Sequence, residues 1–133
     1  MQTKYGFGAK VGMSYEQAVS RVKELLQSEG FGVLTEIDVK KTMKQKLDAE
    51  FRKYVILGAC NPTLAHRALG VELEIGLLVP CNVIVYEDDG GAVVSMMDPI
   101  AALGVVGNEK LEPIAQAARE RLERVIRQLS KHK

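Results

Sequence analysis

Asn82-Val83-Ile84-Val85-Tyr86-Glu87-Asp88-Asp89-Gly90-Gly91-Ala92-Val93-Val94-Ser95-Met96 is the stretch that decides the fold. Two apolar runs, 82–86 and 92–96, flank an acidic loop that ends in two glycines. Val, Ile and Tyr favour extended chain because branched or flat side chains fit a pleated surface. Glycine supplies the positive φ that a tight reversal needs. The stretch reads as a β-hairpin, so its strands are antiparallel. That sets the chain apart from a doubly wound parallel sheet.

Working outward, Tyr54-Val55-Ile56-Leu57-Gly58-Ala59 reads as another strand. Residues 4–11 alternate Tyr5, Phe7, Ala9 and Val11 with small or polar residues, and 31–37 forms a further extended run. Ser14-Tyr15-Glu16-Gln17 is a capping box, and Gly30 a left-handed stop for the helix between them. Asp38 caps a short helix with Val39, Met43 and Leu47 on one face. Asn61-Pro62 and Asp98-Pro99 each place a cap before a proline at the first helical position. Leu77 to Pro80 is apolar and reads as extended. In the last segment Leu111, Ala115, Ala118, Leu122, Val125 and Leu129 recur at helical spacing, while Glu120–Arg124 and Glu123–Arg127 pair on the other face. The order predicts an α+β, two-layer sandwich. It has a single mostly antiparallel sheet of about five strands, with helices packed on one face. The closing helix is expected to cover the sheet, since Leu111 to Leu129 spans about 27 Å.

With 133 residues, the chain is read as a single domain over 1–133, able to bury a core without a metal or disulfide. The net charge of +1 gives no bulk attraction to nucleic acid or membrane. Lys40, Lys41, Lys44 and Lys46 fall on the solvated face of a short helix. No N-terminal apolar run reads as a secretion signal and no window reads as a membrane span. Localisation is therefore expected to be cytoplasmic, with both cysteines reduced.

Those cysteines carry the chemistry. Each directly precedes an asparagine and lies near a proline: Gly58-Ala59-Cys60-Asn61-Pro62 and Pro80-Cys81-Asn82. Both stand where an apolar strand meets another element, and their Cα atoms are expected within about 10 Å on one sheet. Cys60, Asn61, Cys81, Asn82 and the nearby Arg67 form the candidate binding set for a small molecule. Cys60, His66 and Cys81 are the soft ligands that a metal ion such as zinc would take. The alternative is a thiol-dependent enzyme or redox protein with Cys60 as nucleophile. Its thiol would be activated by the start of the helix that follows. Against both stand the plain structural roles: buried cysteines as small apolar residues, Asn61 as a helix cap, and His66 and Arg67 on a solvated helix face. The spacing of Cys60 and Cys81 matches no zinc or redox motif.

The run Gly58-Ala59-Cys60-Asn61-Pro62-Thr63-Leu64-Ala65-His66-Arg67-Ala68-Leu69, followed by Ile75-Gly76-Leu77-Leu78-Val79-Pro80-Cys81-Asn82-Val83, resembles the bacterial and archaeal domain-of-unknown-function family three hundred and two. The acidic Gly-Gly turn, Met97-Asp98-Pro99 and the closing helix extend the resemblance over essentially the whole chain. It implies a compact α+β fold of the TATA-binding-protein-like type and a homodimer, and it implies no activity. Fold likeness of this kind is no argument for DNA binding. For the dimer contact, the sequence offers an open sheet edge or the apolar segment Ile100 to Val106, flanked by Gly104 and Gly107.

Overall fold

In the computed structural model, residues 2–131 are described. Five strands form one sheet in the order β1-β5-β4-β3-β2. These are β1 (Gly6–Val11), β2 (Gly32–Asp38), β3 (Tyr54–Cys60), β4 (Cys81–Asp88) and β5 (Gly91–Met97). Each neighbouring pair is antiparallel. The deciding hairpin is β4–β5. Its connection is Asp89 and Gly90, both at positive φ (44° and 78°), the mirror-image turn whose twist suits adjoining strands.

Among the described residues five α-helices accompany the sheet: α1 (Tyr15–Ser28), α2 (Val39–Leu47), α3 (Pro62–Val71), α4 (Pro99–Gly104) and α5 (Glu112–Ser130). Their starts follow the capping chemistry read from the sequence. Ser14 Oγ accepts from the Gln17 N–H and Gln17 Oε1 accepts from the Ser14 N–H, both at 3.2 Å. Asp38, Asn61 and Asp98 each accept from a backbone N–H two or three residues on. Leu77 to Pro80 is not extended. Leu73–Leu77 forms a 3-10 turn that buries Ile75, and the Val79–Pro80 peptide is cis.

Strand register sets which side chains meet the helices. Phe7, Val55, Leu57, Val83, Val85, Val94 and Met96 point to one face. There they meet Ala18, Val22, Leu25 and Leu26 of α1 and the Leu111–Leu129 stripe of α5. All six apolar positions of that stripe are buried, so α5 does cover the sheet. Arg121 and Arg124 tie α5 to the end of α1. Arg121 donates to the Glu29 carbonyl at 3.1 Å, and Arg124 pairs with the Glu29 carboxylate at 2.9 Å. The other sheet face carries no helix of this layer. It presents Ile37, Tyr54, Ile56, Ile84, Tyr86 and Met97, each partly or largely exposed. Tyr54 and Tyr86 stack there with ring centroids 5.4 Å apart.

Candidate functional site

Ala59 pairs with Cys81 across β3 and β4, and Cys60 is the next residue along β3. The two cysteines therefore sit one step off register on adjacent strands, with Cα atoms about 6 Å apart. Both are free thiols. The chain leaves β3 through Asn61 into α3 and returns through the 3-10 turn and Pro80 into β4, so both Cys-Asn segments lie at one end of the sheet.

Asn61 is 8% exposed and is the one buried polar residue among those described. Its Oδ1 accepts from the Leu64 N–H at 3.2 Å, which fixes the first turn of α3. Its Nδ2 donor takes no hydrogen bond among the described residues and stands 3.0 Å from where a Cβ on Gly30 would sit. Gly30 has φ of +84°. Glycine here thus serves both the left-handed end of α1 and the room for the Asn61 amide.

Around this corner lies an apolar cavity of about 40 Å³. Cys60, Asn61 and Cys81 line it at the sheet end, with Leu64 and Ala68 from α3, Leu103 from α4 and Ile114 and Ala118 from α5. These walls were missed in the sequence because apolar positions on a helix look alike whether they meet core or cavity. A cavity of this size is about a quarter of the ~150 Å³ hydrocarbon cavity that accepts benzene. It suits one end of a small molecule.

Burial pushes the Cys81 thiol up to about 11, with Cys60 beside it adding to the shift. Burial also raises the Cys60 thiol. The helix start was expected to lower it; the shift is upward, and its cause is loss of solvation. Raised thiols are less ionised near neutral pH, so these shifts lend no support to an activated Cys60 nucleophile.

The other expected site residues lie elsewhere. Asn82 pairs with Gly58, on the opposite sheet face from Cys81, because successive strand residues alternate sides. It is exposed and lines a shallow groove with Tyr5, Ile84, Tyr86 and Ser95. His66 and Arg67 are exposed on α3, whose inward positions are Leu64 and Ala68. The metal set Cys60, His66 and Cys81 is not assembled. Among the described residues no three His, Cys, Asp or Glu side chains group to hold an ion, and a zinc site takes at least three protein ligands. Asp98 takes the capping role read from the sequence. It caps α4 by accepting from the Ile100 N–H at 2.9 Å and pairs with Arg119. The Arg119 guanidinium also lies 4.6 Å from the Phe7 ring centroid, locking α5 against β1.

No helix among the described residues is long and apolar enough to cross a membrane. No curated protein matches the chain. A solved structure, the uncharacterized conserved protein DUF302 from Bacillus stearothermophilus, is similar at 29% identity with a TM-score of 0.88. The match covers 96% of this chain and 99% of that one. The family model described as domain of unknown function DUF302 matches residues 7–129. The chain belongs to that family.

Proposed function

We propose that the protein is a small-molecule binding module whose site is the cleft at Cys60, Asn61 and Cys81. One observation carries this reading. Two segments far apart in sequence converge on an apolar cavity beside a buried amide with an uncommitted donor. Among the described residues every buried side-chain nitrogen and oxygen has a partner, so the Asn61 Nδ2 keeps access to solvent and is free to donate to a ligand acceptor. The ligand class is a short apolar group bearing one carbonyl or similar acceptor. The neutral thiols act as soft, apolar wall, and a reducing cytoplasm would keep them so.

The test is titration of the labelled protein with 2-butanone, read by the Asn61 side-chain amide signals in a nitrogen–proton spectrum. Saturable shifts are expected in the parent. They should be absent in Ala65→Leu, which places a larger side chain in the cavity wall. Equal shifts in both proteins, or none in the parent, would overturn the reading.

A further inference from the structure

Arg121 is a charge without a counter-charge. Its neighbours on α5 have theirs: Arg119 pairs with Asp98 and Glu123, and Arg124 with Glu29. Arg121 is half-buried, and its one hydrogen bond among the described residues runs from Nη1 to the Glu29 carbonyl at 3.1 Å. A guanidinium has five N–H donors, so most of the fork is uncommitted. The group stands at the same corner as the Asn61 amide. The place of a Cβ on Gly30 is 3.0 Å from Asn61 Nδ2 and 3.5 Å from Arg121 Nη1. The two nitrogens are therefore at most 6.5 Å apart, the sum of those distances. Glycine leaves the space before them open. One turn back along α5 from Arg121, Ala118 lines the apolar cavity together with Asn61. The Glu29 carboxylate is held by Arg124 at 2.9 Å and does not neutralise Arg121. The start of α3 at Asn61 adds the positive end of a helix dipole.

We propose that the ligand of this cleft is a short monocarboxylate, its carboxylate bridging Asn61 Nδ2 and the Arg121 guanidinium beside Gly30 and its alkyl end in the apolar cavity. The inference rests on the binding cleft proposed above and names the substrate class for it. An ionised carboxylate accepts charge-assisted hydrogen bonds of about 2.7–2.9 Å at each oxygen, so one group serves both donors. It also gives a half-buried cation the partner that the chain does not supply. A neutral ketone oxygen satisfies the amide and leaves the cation unpaired. The cavity of about 40 Å³ limits the alkyl end to a few carbons.

Propionate and 2-butanone share an ethyl tail and a similar shape, and differ in charge. Titration of the labelled protein with each, read at the Asn61 side-chain amide, separates the carboxylate from the cleft itself. The parent should bind propionate at least about tenfold more tightly, the worth of one charge-assisted hydrogen bond. Arg121→Gln should erase that ratio, and Ala65→Leu should abolish propionate binding. If Arg121→Gln does not fold, the Arg121 Nε–H signal of the parent decides: propionate should move it and 2-butanone should not. Equal affinities in the parent, an unchanged ratio in folded Arg121→Gln, or a still Arg121 signal would overturn the carboxylate inference while 2-butanone binding keeps the cleft. Propionate binding that survives Ala65→Leu would also overturn it, by showing an anion on the surface. No response to either compound would bring down both readings.

Discussion

Shortening Leu122 to alanine should lower stability by about 3–5 kcal/mol. Leu122 is 0% exposed at the middle of α5, a turn away from buried Ala118 and one from buried Val125. One side of the site is a hydrogen-bonded sheet and the other is the helix backbone. Neither can collapse into the space left by the removed carbons, which places the cost in the upper part of the range for such substitutions. Unfolding entropy of about 2.1 cal/mol/K per residue gives about 280 cal/mol/K for 133 residues. The melting temperature should therefore fall by about 11–18 °C. Calorimetry at two protein concentrations measures this and separates loss of core from loss of association. Leu122→Asp, which would place a carboxylate in the same apolar layer, should not fold. A fall of less than about 4 °C for the alanine variant, or a folded monomeric Asp variant, would refute the assignment of α5 as the sheet's cover.

The thiol of Cys81, held up to about 11 by burial, makes stability depend on pH. Its folded value lies above the ordinary thiol value of 9.0, so its contribution is whole below pH 9 and is lost as pH rises through about 11. Denaturant melts should show a loss of about 2–3 kcal/mol across that window that Cys81→Ala lacks, and an identical slope in the two proteins would reject this cause. Gly8→Ala should cost about 1–3 kcal/mol, because a Cβ there would meet the Val94 carbonyl and lie 2.7 Å from the Ser95 Cα, both backbone. Gly32→Ala, with nothing within 4 Å of its Cβ, should be neutral or slightly stabilising, and equal urea midpoints for the two variants would contradict the packing argument.

The hairpin, the helix caps and the inward stripe of α5 were legible because each is local. A turn, a cap or a helical period is written within a few residues, and tertiary packing here agrees with it. The meeting of Cys60 and Cys81 was legible at lower resolution, since both follow or begin apolar strands. Which side chain faces the cavity was not. That depends on the register of β3 against β4, which moves Asn82 to the far face while Cys81 stays within. The effect on Cys60 was misjudged for a related reason. A helix start is visible in sequence, but the desolvation opposing it comes from distant residues. The apolar second face had left a trace: Tyr54-Val55-Ile56-Leu57 shows no alternation, as expected of a strand with both faces apolar.

The strand order also bears on how the chain acquires its structure as it is made. β1 and β2, the first two strands, stand at opposite edges of the sheet and do not pair with each other. Four inter-strand spacings, about 19 Å, separate them. β2 finds its mate only when β3 has formed, and β1 only when β5 has formed, with Gly6 opposite Met97. An emerging chain would thus carry two unpaired edges until the central hairpin is complete. The nucleus should be that hairpin, which joins both earlier strands into one sheet.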